Sequence, residues 1–154
     1  MKEKIITFVQ TKKLSVLGRI IAIDYGKKRT GIAVSDPMKL IAGGLTTLPS
    51  SEVIPFLKQY IVENNVDICL LGEPRQMNYQ HSENWNRVMQ FKKDLQKSFP
   101  EMKIQMVDER FTSVLAHQTM LEGGLKKKDR QNKALVDELS ATILLQSYLE
   151  TIKQ

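Results

Sequence analysis

The stretch that decides the fold covers residues 19–35 and has the sequence RIIAIDYGKKRTGIAVS. Its first part, residues 19–23, is a run of branched apolar residues after one arginine, the pattern of a strand that is buried on both faces. Residues 24–29 are mostly polar and predict a turn. Residues 30–35 predict a second strand, which Asp36 and Pro37 close. Because the connection is so short, the two strands are predicted to pair antiparallel.

Outward from this hairpin the pattern changes from strands alone to strands that alternate with helices. The predicted elements are a strand at 44–48, a helix capped by Ser51 and running to about Asn64, a strand at 67–72, a helix capped by Ser82 that ends before Pro100, a strand at 103–108, a helix from Thr112 to Gly123, and a helix from about Ala134 to Ile152. This order predicts an α/β fold: a mixed five-stranded sheet, with a three-strand antiparallel meander plus two parallel strands, and helices on both faces. The first strand is then central and lies beside the strand that ends at Gly72.

Composition indicates an ordinary globular chain with a basic character. The 154 residues suffice for one domain, here 19–154, preceded by a basic N-terminal extension at 1–18. A net charge of +6 favours a polyanionic partner such as nucleic acid, although it also suits simple solubility. Cys69 is the single cysteine, and no apolar run has the length of a membrane span. We therefore expect a cytoplasmic protein, monomer or homodimer, without a membrane partner.

Acidic residues follow two of the predicted strands. Asp24 comes directly after the most buried strand, where a carboxylate is costly unless it is paired, hydrogen-bonded or bound to metal. Spacing alone favours a simpler interpretation, an aspartate that starts the turn by bonding its own backbone. Asp108 and Glu109 end another strand and point to opposite faces, so only one of them can face the same site as Asp24. The alternative for this pair is an acidic helix N-terminus, with Arg110 able to neutralise either acid.

Asp137 has the most informative position among the acids. It lies four, seven and eleven residues before Ala141, Leu144 and Tyr148, so it shares the inward face of the last predicted helix. A first-turn acid stabilised by the helix dipole is the alternative. Three acids from three elements, aimed at one end of one sheet, favour a site for a hard divalent cation, because such cations prefer oxygen ligands.

Glu73 is a further candidate, because it ends the strand predicted to lie beside that of Asp24; an exposed loop residue is the equally weighted alternative. Other chemistries have weaker support. His81 and His117 have no ligand partner at zinc spacing, and Cys69 falls within a buried strand. The sequence contains neither a Walker A lysine loop nor a Gly-x-Gly-x-x-Gly element.

Three segments resemble motifs of the YqgF/RuvX family, and they contain Asp24, Glu109 and Asp137. The segment AIDYGKKRTGIAVSD, residues 22–36, resembles the first motif of that family. The segment DERFTS, residues 108–113, resembles its acidic strand-end motif, and VDELSA, residues 136–141, resembles its C-terminal motif. The resemblance covers roughly residues 19–152.

The resemblance implies a ribonuclease H-like fold and a nuclease. Family members are described as Holliday-junction resolvases and as nucleases of pre-16S ribosomal RNA. The catalytic and metal-binding acids implied are Asp24, Glu109 and Asp137, with Mg²⁺ or Mn²⁺ as cofactor and Glu73 as a candidate accessory acid. The substrate implied is structured RNA or branched DNA. The basic residues placed to hold its phosphates are Lys27, Lys28, Arg29, Arg110, Lys126, Lys127, Lys128 and Arg130, although for any single lysine a solvated surface position is the more common role.

The chain departs from the family pattern in two places, and two other functions compete with the nuclease. Residues 72–79, GEPRQMNY, replace the usual Gly-Leu-Pro and Asn-Met-Asp-Gly segments, and Leu135 replaces a common basic residue. One rival function is a non-catalytic assembly factor that binds nucleic acid. The other is an ATPase of the actin-like and sugar-kinase kind, although the chain is short for the two domains that enclose a nucleotide.

Overall fold

A computed structural model of the protein describes residues 18–74, 83–109 and 132–153. Its elements are β1 (Arg19–Tyr25), β2 (Arg29–Ser35), β3 (Ala42–Pro49), a 3-10 turn (Ser50–Glu52), α1 (Val53–Glu63), β4 (Val66–Glu73), α2 (Trp85–Ser98), β5 (Lys103–Asp108) and α3 (Lys133–Ile152). The predicted helix at 112–123, most of the N-terminal extension, Ser82 and both histidines lie outside the described residues. None of the helices in those three ranges is both long and apolar enough to cross a membrane.

The five strands form one mixed sheet in the order β3-β2-β1-β4-β5. The β1–β2 and β2–β3 pairs are antiparallel, whereas β1–β4 and β4–β5 are parallel. The predicted α/β architecture is confirmed, including the central position of β1 beside β4. The carboxyl ends of β1, β4 and β5 therefore meet at one edge of the sheet, which is where such folds place their sites.

The two faces of the sheet are covered by different helices, and alternation along β1 assigns each residue to a face. Ile21 and Ile23 belong to the core under α1 and α2. Ile20 and Ala22 belong to the core under α3, together with Ala141, Leu144, Leu145 and Leu149 of that helix. Asp24 follows in the same alternation as Ala22, so it lies on the α3 face.

The structure corrects the predicted start of α1 and refines that of α3. The expected cap by Ser51 is wrong: Ser50–Glu52 form a 3-10 turn, and α1 begins at Val53 without a side-chain cap. Pro55 then falls in the first helical turn, where a missing backbone N–H breaks no intrahelical bond. At α3, the Asn132 side chain accepts hydrogen bonds from the backbone N–H groups of the second and third helical residues, which fixes the start of that helix one residue earlier than predicted.

Candidate active site

Asp24 lies near the carboxyl end of the central strand, between two glycines of the neighbouring strands. Gly31 is its partner on β2. On β4, Leu71 is the partner of Ile23, so Gly72 is the next position along, beside Asp24. Because neither neighbour has a side chain, the sheet leaves space on both sides of Asp24 above the α3 face.

The other two predicted acids enter through these two spaces. A Cβ atom at Gly72 would overlap the carboxylate of Glu109, and a Cβ atom at Gly31 would overlap the backbone carbonyl of Asp137. The Glu109 side chain therefore lies over β4, and the first turns of α3 lie directly on β2. Glycine is required at both positions because other atoms occupy the place of a side chain.

Asp24 and Glu109 form a hydrogen-bonded pair of carboxyl groups. Burial raises the pKa of Asp24 to about 6; the hydrogen bond from Glu109 opposes this shift and the charge of Asp137 adds to it. Burial, together with the charge of Asp24, the hydrogen bond to it and the charge of Asp108, raises the pKa of Glu109 to about 9. Two carboxyl groups that share a hydrogen bond resist ionising together. Near neutral pH the pair therefore holds one proton, with Glu109 as the donor.

Asp137 lies near this pair, but its carboxylate forms an ion pair with Arg29. Its charge contributes to the raised pKa of Asp24. Its carboxylate oxygen Oδ2 accepts a hydrogen bond from Nε of Arg29 at 2.7 Å, in an ion pair whose side chains are 39% and 26% exposed. Within the described ranges, no three acidic, histidine or cysteine side chains converge closely enough to enclose a metal ion. The site thus consists of two converged carboxyls and a third held by an arginine.

Alternation in β5 separates the two acids that end it. Val107 packs in the core under α3 and Met106 in the core under α1 and α2. Glu109 therefore shares the face of Val107 and of Asp24, and Asp108 has the opposite face. The structure brings Glu109, rather than Asp108, into contact with Asp24, as the family resemblance implied.

Glu73 follows Gly72, so its side chain points to the α1 and α2 face, away from Asp24. In the β4–β5 register it pairs with Asp108. Its backbone carbonyl accepts a hydrogen bond from the N–H of Glu109 at 3.3 Å. Glu73 thus helps to position the backbone of Glu109, and its role as an accessory acid remains a prediction.

A basic cleft of about 350 Å³ adjoins the acids. Its lining residues are Gly26, Lys27, Lys28, Arg29, Lys133 and Asp137. Lys27, Lys28 and Lys133 are exposed, and no acid of the described ranges forms an ion pair with them. The cleft thus contains three of the predicted phosphate-binding residues. It also contains Lys133, the last residue of the basic segment 126–133 that the sequence offers as a further phosphate contact. The other predicted contacts, Arg110, Lys126, Lys127, Lys128 and Arg130, lie outside the described residues.

The donor set suits a hard divalent cation. Carboxylate oxygens are the ligands that such cations prefer, and the proton shared by Asp24 and Glu109 occupies a place that a cation could take, because metal ligands bind deprotonated. Softer ligands are absent from this part of the described structure. Cys69 lies in the opposite core, where burial raises the pKa of its thiol to about 12. The prediction that it is packing rather than a nucleophile agrees with this position.

Comparison with known proteins shows similarity to a family of nucleases. The family model described as "RuvX: Holliday junction resolvase" matches residues 18–151. A curated protein of Bacteroides fragilis strain ATCC 25285, named "Putative pre-16S rRNA nuclease", is 61% identical over 88% of this chain and 98% of its own length. A protein of the same name from Flavobacterium johnsoniae strain ATCC 17061 is 56% identical over 86% and 96%.

Among solved structures, the chain is similar to RuvC of Thermus thermophilus in complex with a Holliday junction substrate. The TM-score is 0.55 at 14% identity, over 88% of this chain and 96% of that one. A second Thermus thermophilus RuvC structure gives a TM-score of 0.51 at 16% identity. At such low identity the likeness concerns the fold alone, and it confirms the predicted ribonuclease H-like fold.

Proposed function

The chain belongs to the RuvX family, and from this membership we propose that it is a metal-dependent nuclease that hydrolyses phosphodiester bonds in structured nucleic acid. The observation that carries the proposal is the partly buried, hydrogen-bonded Asp24–Glu109 pair at the carboxyl end of the central strand, with Asp137 beside it. Bringing two carboxyl groups together out of water costs stability even when they share a proton, and a cation site gives a functional reason for the arrangement.

The residues that would hold Mg²⁺ or Mn²⁺ are Asp24, Glu109 and Asp137. When bound, the metal supplies Lewis acidity to the reacting phosphate and water. Asp24 and Glu109 release their shared proton to become ligands, so binding of the cation is favoured as the pH rises. The lysines of the basic cleft hold phosphates that flank the reacting one, because nucleic-acid affinity depends chiefly on phosphate contacts.

The proposed substrate is the 5′ end of precursor 16S rRNA, processed in the cytoplasm during ribosome biogenesis. Curated relatives at 56% and 61% identity, matched over nearly their whole length, carry a name with that substrate. A Holliday junction is the second candidate, supported by the description of the family model. A binding protein without activity is less favoured, because phosphate binding alone needs no buried acid pair.

A metal-dependent cleavage screen tests the proposal. Precursor 16S rRNA, a four-way DNA junction, duplexes and single strands are incubated with the protein in Mg²⁺, in Mn²⁺ and in EDTA, beside the variant Asp24→Asn. We expect cleavage of the precursor RNA that requires metal and is abolished in the variant, while the variant keeps its fold and its affinity for RNA. Cleavage that survives in Asp24→Asn would exclude this acid site as the source of the activity.

A further inference from the structure

We propose that Arg29 is a latch on the third acid: it holds Asp137 away from Asp24 and Glu109 until a backbone phosphate, bound in the adjoining cleft, takes its place as the partner of Arg29. This inference rests on the proposed function, because the phosphate belongs to the nucleic acid. Arg29 is in this view a positioning residue, which acts on the metal through Asp137.

The first observation is how Arg29 is bound. It uses Nε toward Oδ2 of Asp137, and that pair is part-buried. A guanidinium has five N–H donors in a planar fork that matches carboxylate and phosphate oxygens. No other acid in the described ranges forms an ion pair with Arg29, so its remaining donors are available for a second oxyanion.

The second observation is the excess of basic side chains around Arg29. The cleft brings Lys27, Lys28 and Lys133 beside Arg29, with Asp137 as the single acid of its lining. Cations gathered without matching acids attract an anion, and a phosphate is the anion that a nuclease meets. A phosphate that enters this cleft competes directly with Asp137 for Arg29.

The third observation is what Asp137 would do once released. It is fixed on α3, whose backbone rests on Gly31, the partner of Asp24 in the sheet. Its charge already reaches Asp24. Without Arg29, this charge lacks its counterion and is best balanced by a cation between the three acids. Phosphate binding therefore raises affinity for the metal, and by linkage the metal raises affinity for the phosphate to the same extent.

The test measures metal affinity without nucleic acid. Mn²⁺ is titrated calorimetrically into the intact protein and into Arg29→Gln and Lys28→Gln, which remove the same charge from neighbouring positions in the cleft. We expect Arg29→Gln to bind Mn²⁺ roughly two- to fivefold more tightly than Lys28→Gln does. This factor corresponds to the free energy of a single, partly exposed ion pair, which Arg29→Gln removes. In an Asp137→Asn background, Arg29→Gln should give no such gain, as a double-mutant cycle reports.

The outcomes separate this inference from the proposed function. Equal gains in Arg29→Gln and Lys28→Gln would mean that local charge alone acts, and a gain that persists in Asp137→Asn would mean that Arg29 acts elsewhere; either result overturns the latch and leaves the nuclease standing. A native protein that binds no Mn²⁺ overturns both. Melting curves in EDTA verify folding, and Arg29→Lys, with an intermediate gain expected, replaces Arg29→Gln if the latter fails to fold.

The reciprocal measurement uses nucleic acid. Binding of a fluorescent RNA hairpin is followed by anisotropy in Ca²⁺, used as a divalent probe, and in EDTA. We expect Ca²⁺ to tighten binding more in the native protein than in Arg29→Gln, by the same two- to fivefold factor. Equal tightening in the two proteins would show that phosphate and metal are not coupled through Arg29.

Discussion

At the scale of single residues, the chemistry of this site depends on a proton that two carboxyl groups share. Burial raises the pKa of both Asp24 and Glu109 above ordinary values. In water each side chain would ionise as an ordinary acid. Side by side under α3, they form a pair whose negative charge must be balanced by a proton or a cation. The same residues would therefore determine both the proposed metal binding and the stability of the metal-free protein.

Glu109 and Asp108 offer a matched pair of variants, one residue apart on opposite faces of β5. We expect Glu109→Gln to be nearly inactive, because it removes a proposed metal ligand, and Asp108→Asn to affect mainly stability. Glu73→Gln should keep nearly native activity, because Glu73 contacts Glu109 through its backbone carbonyl, which the substitution leaves unchanged. A loss of about 10-fold would instead support the accessory role of its side chain. Single-turnover cleavage rates on the preferred substrate decide this order, and a dead Asp108→Asn beside an active Glu109→Gln would reverse the assignment.

The shared proton also predicts how pH affects the metal-free protein. The pKa of Glu109 in the folded state is about 9, against 4.5 for an ordinary glutamate, so between these values the folded state binds more protons than the unfolded state. Stability in EDTA should therefore fall as pH rises through this range. Glu109→Gln removes this titration, and its Tm should be higher than that of the native protein at pH 8 and less dependent on pH.

The control for that measurement is the metal. Mg²⁺ or Mn²⁺ should raise the Tm of the native protein at pH 8, since a ligand that binds only the folded state stabilises it, and should have a much smaller effect on Glu109→Gln. Parallel Tm curves for the two proteins in EDTA, from pH 5 to pH 9, would show that the pair does not share a proton in the way described.

At the scale of elements, the site depends on how closely α3 and the end of β5 approach the sheet. Gly72 makes room for a flexible carboxylate end, whereas Gly31 makes room for the backbone of α3. These two contacts have different consequences, because a side chain can rotate away from an added methyl group and a helix backbone cannot do so without moving the whole helix.

We therefore expect opposite phenotypes from the same substitution. Gly72→Ala should fold with a modest loss of stability but lose most activity, because Glu109 is displaced from Asp24. Gly31→Ala should destabilise the fold by about 1–3 kcal/mol or more, the usual cost of overpacking. Gly43→Ala is the control, since its nearest neighbour would be 3.9 Å from the new Cβ. Urea denaturation and cleavage rates distinguish the three, and equal stability of Gly31→Ala and Gly43→Ala would contradict the close packing of α3.

The elements themselves were largely predictable, because the buried runs of β1 and β4 and the short polar turn between β1 and β2 are local patterns. The positions of Asp24 and Asp137 followed from strand end and helix face, and the choice of Glu109 over Asp108 came from family resemblance. Sequence reasoning did not find the Arg29–Asp137 pair, whose partners are 108 residues apart, nor the reason for the two glycines. Both depend on where α3 docks, which no local pattern encodes.

At the scale of the whole molecule, charge is distributed so that acids and bases adjoin. The chain has a net charge of +6, and the cleft lysines lie beside Asp137, whose charge reaches Asp24 of the acid pair. Such an arrangement would attract the backbone of a nucleic acid and leave the carboxylates for the proposed metal. Much of the affinity for substrate should therefore be electrostatic and depend on salt.

Salt dependence provides the test at this scale. A plot of log affinity against log salt concentration has a negative slope. Each of the variants Lys28→Gln and Lys133→Gln should make that slope shallower by about one unit, since each removes one phosphate contact. Lys58→Gln, exposed on α1 at the opposite face of the sheet, should leave the slope unchanged. Neutralising Lys126, Lys127 and Lys128 together is predicted from the sequence to make it shallower as well. Slopes that are equal in all variants would show that these lysines do not touch the substrate.

The position of α3 along the chain also sets an order in time. All five strands, with Asp24 and Glu109, are synthesised before the helix that brings Asp137 and Lys133. A nascent chain still lacking α3 leaves the apolar face under that helix uncovered and has only two of the three acids. The nuclease site proposed here can therefore be completed only after α3 has been synthesised and has docked on the sheet.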